Sequence, residues 1–173
     1  MTLVYILAGA ILVLLLLYQL APSSYDVSRT VEIGRPPEAV FNYLKYLRNQ
    51  DEWSPWARKD PHMKKGFRGT DGTVGAVSSW EGDKQVGSGQ QEITRIVEGR
   101  RIESQLRFLK PWKSTSDAYL DVEPAGSRSL VRWGFKGSLG FPMRIMMLFM
   151  SMEKMVGKDF EEGLSNLKTL LEA

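Results

Sequence analysis

The N-terminal run of apolar residues constrains this chain most. Residues 3–18 carry no charge and no side chain more polar than tyrosine. Leu20 and Ala21 extend the run past Gln19, and Pro22-Ser23-Ser24 ends it. At about 1.5 Å rise per residue, a helix over this stretch matches the roughly 30 Å hydrocarbon core of a bilayer. A helix buried in a globular core would keep a polar stripe on one face, whereas residues 11–17 are apolar all round. A cleaved signal peptide would open with a basic segment and close at a small-residue site. No Lys or Arg precedes this run, and Leu17-Tyr18-Gln19 approaches such a site poorly, although Leu20-Ala21-Pro22 leaves that reading open. The expected organisation is a retained transmembrane anchor at 1–21, a linker at 22–24 and one domain at 25–173. Arg29 and Arg35 follow the span and no basic side chain precedes it, which places the domain on the cytoplasmic side. The absence of cysteine suits either side of a membrane.

About 150 residues remain beyond the anchor, the size of one domain with one core. Five Trp supply large apolar area for that core. The net charge of +3 is too mild and too spread for the basic stripe of a nucleic-acid binder. Residues 25–33 alternate with period two and read as a half-buried strand with Tyr25, Val27, Val31 and Ile33 inward. Pro36-Pro37-Glu38 then opens a helix, proline in its first turn and an acid near the positive dipole end. Val40, Phe41, Leu44 and Leu47 give that helix a buried face to about residue 49. Trp53-Ser54-Pro55-Trp56 and Asp60-Pro61 make a rigid connection. Strands are expected at 67–70, 74–81, 86–97, 101–109, 115–122 and 130–136, separated by Gly-rich turns. Short turns between successive strands imply an antiparallel meander. A long helix is expected at 141–171, with Ile145, Phe149, Met152, Val156, Phe160, Gly163, Leu167 and Leu170 on the face laid against the sheet.

This order of elements, the Pro37-Glu38-Ala39-Val40-Phe41 helix start, the Trp53-Ser54-Pro55-Trp56 element, the Gly-rich hairpins before Trp80 and the 157–164 segment resemble the START-like superfamily. Within it the chain is similar to the SRPBCC group of polyketide cyclase/dehydrase-like and lipid-transport proteins. The resemblance covers residues 25–172. It implies an α+β helix-grip fold: a curved antiparallel sheet wrapped on a long C-terminal helix, here preceded by one transmembrane helix. It also implies a hydrophobic ligand cavity between sheet and helix, while fold alone does not fix activity.

Alternation places Val74, Ala76, Ser78 and Trp80 on one wall, joined by Ile102, Ser104, Leu106 and Phe108. Ala118, Leu120 and Val122 follow, then Val131, Trp133 and Phe135. The expected ligand-lining set is Trp53, Trp56, Ser78, Trp80, Ser104, Leu106, Phe108, Leu120, Trp133, Phe135, Phe149 and Met152. An apolar lining with a few hydroxyls describes a small-molecule pocket and equally a filled core. Glu103, Arg107, Asp117, Asp121, Arg132 and Lys136 fall on the opposite face. Trp53 and Trp56 read as a lid or as a plug beneath the connection. His62 is the single histidine, Asp60 reads as a turn residue, and no cysteine is present; no catalytic set, metal or cofactor is expected. Met143, Met146, Met147 and Met150 leave the start of the last helix apolar nearly all round, either facing a membrane or entry gate or packed under the 137–140 loop. Arg58, Lys59, Lys64, Lys65 and Arg68 read as a solvated surface or as a contact for anionic lipid. The expected partner is a hydrophobic or lipid-like small molecule, beside the membrane itself. A cyclase/dehydratase-like enzyme and an interaction module of a membrane complex are the alternatives.

Overall fold

A computed structural model describes residues 1–173. An N-terminal helix, α1 (Thr2–Leu20), precedes a seven-stranded antiparallel sheet. The strands are β1 (Ser24–Ile33), β2 (Lys64–Arg68), β3 (Val77–Glu81), β4 (Ser88–Val97), β5 (Arg101–Lys110), β6 (Ser114–Ala125) and β7 (Arg128–Ser138). Their order is β1-β7-β6-β5-β4-β3-β2, so β1 closes onto the last strand and β2 forms the other edge. Between β1 and β2 lie α2 (Pro37–Leu44), a 3-10 turn (Leu47–Asn49), α3 (Gln50–Trp53) and α4 (Pro55–Lys59). After β7 come α5 (Met143–Met146) and α6 (Met152–Glu172). This is the antiparallel meander that the alternation implies, in the α+β helix-grip arrangement that the resemblance implies.

The sheet can wrap because β4 and β5 are out of register at Ser88/Gly89 and Ile93/Arg95. Such irregularities bend the bulged strand and raise its twist. Alternation then delivers Val27, Ile33, Ile93, Ile102, Leu120, Val122, Val131, Trp133 and Phe135 to one continuous core. Helix α2 adds Val40, Phe41 and Leu44. Helix α6 adds Phe160, Leu164 and Leu167, each worth about 1.5–3 kcal/mol of burial.

Helix α6 lies along β1 and is held by polar clamps at both ends. Near its start, Arg29 of β1 pairs with Glu153 and, at 2.6 Å, with Glu161. At its end, Glu172 accepts the Gly34 N–H at 2.6 Å and the Leu171 carbonyl accepts Arg35 Nε at 2.5 Å. Gly163 permits the close approach of α6 to β7 and α4. A Cβ there would meet Trp133 Cζ3 at 2.6 Å and Pro55 Cδ at 3.1 Å.

Three expectations need correction. The first helix stops at Leu44 instead of running to residue 49, because Asp71 takes the next backbone donors. Its carboxylate accepts from Leu47 N–H at 2.8 Å and Arg48 N–H at 3.1 Å. Val74 lies outside β3, 59% exposed, and does not join the wall. The last helix is two helices. Ser151 is extended (φ −125°, ψ 127°), separating α5 from α6. Serine followed by an acid in the first turn, here Glu153, is a helix-start signal that the apolar periodicity hid. The break turns Phe149 outward, and Leu170 also sits outside the buried stripe.

Candidate functional site

The concave face of the sheet divides into a packed depth and an open shallow end. In the depth, Trp133 is the centre. Phe160 of α6 stacks on it at 4.3 Å and 17°, while Trp53 and Trp56 meet it edge-on at 4.8 Å and 5.5 Å. The local chain explains the two tryptophan positions. Proline at the first position of α4 holds the preceding Ser54 extended (ψ 128°), so α3 and α4 are two separate turns, each projecting one indole. Trp53 is 1% exposed and Trp56 half-buried. Beside them a void of about 10 Å³, bordered by Gln50, Gln91, Ser104 and Leu120 among others, holds about one water. Trp53 Nε1 is buried with no acceptor in reach. A buried orphan donor costs about 1–3 kcal/mol.

The shallow end lies toward the start of β1. Trp80, Leu106, Phe108 and Met152 are only partly covered there. Phe108 bridges the wall, 5.9 Å from Trp80 and 6.3 Å from Phe135, both edge-on. Gly89 seats Trp80: a Cβ at that position would fall 2.6 Å from Trp80 Cζ2. Helix α6 runs along β1 and packs on α3 and α4, away from β3. The result is a partly exposed aromatic wall on β3 and β5, with Met152 of the first turn of α6 also half-buried against the core. Its polar accents are Ser78, half-buried on β3, and the Tyr25–Ser116 hydroxyl pair at 2.7 Å.

Of the expected lining residues, Trp80, Leu106, Phe108, Phe135 and Met152 come together at this shallow end, with Ser78 on the same strand face as Trp80. Trp53, Trp56, Ser104, Leu120 and Trp133 sit in or beside the packed depth. Phe149 belongs to neither: it is 80% exposed, on the connection between α5 and α6. Gln50, Gln91 and the Tyr25–Ser116 pair were not among the expected residues. Tyr25 carried a signal, as an inward position of the first strand; the two glutamines carried none.

The convex face is ionic. Arg101 pairs with Glu103 at 2.7 Å and Asp121 at 2.6 Å and lies over the Tyr119 ring at 4.5 Å. Tyr119 donates to Asp26 at 3.0 Å. A hollow of about 150 Å³ opens here, lined by Thr94, Arg101, Glu103, Asp117, Tyr119 and Lys136 among others. Of its lining charges, Arg101 and Glu103 are paired with each other, and Arg101 also with Asp121. His62 is exposed. Asp60 caps a turn, accepting His62 N–H at 3.0 Å and Asp83 N–H at 2.8 Å. The basic cluster is partly neutralised: Lys59 pairs with Asp159 at 2.7 Å and Lys65 with Asp51 at 2.5 Å.

Burial pushes three phenols, Tyr25, Tyr43 and Tyr119, above the ordinary value of 10. Asp117, Glu52 and Asp26 respectively reinforce the shift, and for Tyr25 the Ser116 hydrogen bond opposes it. The unfolded chain therefore releases these protons at lower pH than the folded chain does. Their contribution to stability is complete below pH 10 and is lost as pH rises from there through the folded values. Phenolate absorbance should show these three of the six tyrosines ionising late in the folded protein and with the rest in denaturant. Coincident titration in both states would remove this account.

A curved antiparallel sheet gripping a C-terminal helix defines a helix-grip domain. The profile of the family described as polyketide cyclase / dehydrase and lipid transport matches residues 24–172. The chain belongs to that family. No curated protein matches it. Among solved structures it is similar to truncated norcoclaurine synthase from Thalictrum flavum, at 9% identity and TM-score 0.65, covering 87% of this chain and 95% of that one. It is similar to the major latex-like protein 151 of Panax ginseng, at 11% identity and TM-score 0.62, covering 88% and 100%. The Aha1 dimer from Colwellia psychrerythraea matches at 14% identity and TM-score 0.59, covering 86% and 96%. At these identities the likeness is one of fold.

Proposed function

We propose that residues 25–173 bind a hydrophobic or amphipathic, lipid-like small molecule in the cleft between the sheet and α6, and that residues 1–21 tether this domain to a membrane through the linker 22–24. The observation that carries the binding reading is the incompletely covered wall of Trp80, Leu106 and Phe108, which continues onto the buried Phe135. A domain that only needed a core would close α6 over these residues as it does over Trp133. Apolar walls with few polar groups are the usual make-up of small-molecule sites, and the family's description includes lipid transport. Because the depth beside Trp133 is already packed, the ligand occupies the shallow end, against Phe108 and Met152, with Ser78 and the Tyr25–Ser116 hydroxyls available to a polar head. The tether reading rests on α1, which is 19 residues long, has a mean hydropathy of 2.5 over its most apolar window and buries none of its own residues.

The core is complete without α1, so residues 23–173 can be tested alone. Purified without detergent, this domain is expected to carry an apolar compound in native mass spectrometry, or to take up a fluorescent fatty acid at one per chain. Leu106→Lys should weaken that uptake by roughly tenfold or more, since it places a charge against the apolar wall. A bare domain that takes up no probe would overturn the binding reading. Conversion of the extracted compound on incubation with fresh domain would reassign the cleft to catalysis.

A further inference from the structure

Apart from α1, the exposed large hydrophobic residues are concentrated at one end of the molecule. Eight of the eleven outside residues 1–20 lie on the β5–β6 hairpin, the β7–α6 connection or the first turn of α6. The strongest are Phe149 at 80%, Trp112 and Phe141 each at 73%, and Leu109 at 51% exposed. The register brings them together. Ser24 of β1 faces Ser138 of β7, and Ser88 of β4 faces both Lys110 of β5 and Glu81 of β3. The β5–β6 hairpin, the β3–β4 loop, the start of β1 and α5 therefore share one end of the sheet. The opposite end, with the β4–β5 turn at Gly99 and the β6–β7 turn at Gly126, presents no exposed aromatic residue on those turns.

The same end is where α1 joins the domain. Arg144 of α5 lies over the Tyr18 ring at 4.4 Å and donates to the Ala21 carbonyl at 2.9 Å. Leu139 N–H donates to the Ser23 carbonyl at 2.8 Å. The apolar rim is thus continuous with the point at which α1 leaves the bilayer. Its chemistry fits an interface: Trp112 sits between Lys110 and Lys113, and Lys84 stands on the neighbouring loop, against the acids Glu81 and Asp83. Tryptophan and lysine at the headgroup level are the usual anchors of membrane surfaces.

We infer that this end of the domain is a bilayer-docking face. Trp112 and Leu109 of the β5–β6 hairpin, with Phe141, Leu148, Phe149 and Met150 around α5, enter the headgroup–acyl boundary beside α1. The inference rests on the tether reading and deepens it. The partly covered wall of Trp80 and Phe108 lies toward the same end, so docking sets the proposed ligand site beside the lipid and makes the bilayer the source of its ligand.

The chain has no cysteine, so single-cysteine variants can each carry one environment-sensitive fluorophore. Full-length Trp112→Cys, Phe149→Cys, Glu98→Cys and Leu14→Cys would be reconstituted into phosphatidylcholine–phosphatidylglycerol vesicles containing nitroxide lipids. Residues 98, 112 and 149 are exposed, so their replacement leaves the core intact. The labels at 112 and 149 should be quenched by shallow nitroxides roughly threefold or more beyond the label at 98, and the label at 14 by deep nitroxides. Quenching at 14 with 112 and 149 no different from 98 overturns the docking face and leaves the tether standing. No quenching at 14 removes the tether and the docking face with it. Shielding at 112 and 149 that follows protein-to-lipid ratio, without nitroxide quenching, assigns the face to a second copy of the chain and overturns the inference.

Discussion

Trp133→Ala is expected to destabilise the domain by about 3–5 kcal/mol, the range for removing a large aromatic side chain from a packed core. Trp133 is 4% exposed and joins three elements distant in sequence: Trp53 of α3, Trp56 of α4 and Phe160 of α6. Gly163 of α6 sits against the same ring, so the cavity cannot collapse without moving α6. For a domain of this size each kcal/mol corresponds to about 2–4 °C in Tm, so the loss is on the order of 10 °C. Against a total stability of about 5–15 kcal/mol this is a large fraction. Phe160→Ala should cost a similar amount, and the double variant less than the sum, because the two rings touch. Trp112→Ala is the control: at 73% exposure it should fall within about 0.5 kcal/mol of the parent. Denaturant unfolding of residues 23–173 measures all four. A Trp133→Ala loss under about 1 kcal/mol would mean that the packed depth is not the centre of the fold.

The sheet was legible because one face of each strand is buried, and period-two alternation reports that burial directly. Val131, Trp133 and Phe135, or Ile102 and Ser104, fall where alternation puts them. Interruptions made by distant partners were not legible. Asp71 ends α2 from 23 or more residues away, and only the folded chain brings it to Leu47. The Ser151 break could have been read, since serine and an acid follow an apolar stretch, but the continuous apolar spacing from Ile145 masked it. Pattern also gives a side chain's face without its depth. Trp133 and Phe108 share the concave face and read alike. Stacking by Phe160 buries the first, while the second is left partly open because α6 follows β1. Whether an inward residue fills a core or lines a cleft is decided by the path of the helix, and the sequence carries that path only weakly. Gly89 shows the converse case. It falls within the expected 86–97 strand, but nothing in the pattern says that its missing side chain leaves room for the Trp80 ring.

Leu12→Arg together with Leu15→Arg should move the full-length protein from the membrane fraction to the alkaline-extractable fraction. Both positions lie within α1, where each arginine near the centre of a span costs about 2.5–3.5 kcal/mol. The pair therefore shifts the insertion equilibrium by roughly 10⁴-fold. The same substitutions should leave the thermal unfolding of the domain unchanged, because α1 buries no residue of its own. That pairing of outcomes separates the three readings of the segment. A core helix carrying two new charges would lower the melting temperature. A cleaved signal sequence would yield a parent protein whose intact mass lacks the first 21 or so residues, and the substitutions would act on export instead of retention. A tether gives a parent of full mass that resists alkaline extraction and a double variant of full mass that does not. A 19-residue helix of mostly apolar side chains, none of them buried in the domain, needs some covering medium. With the docking rim at their C-terminal end, one bilayer would cover both surfaces.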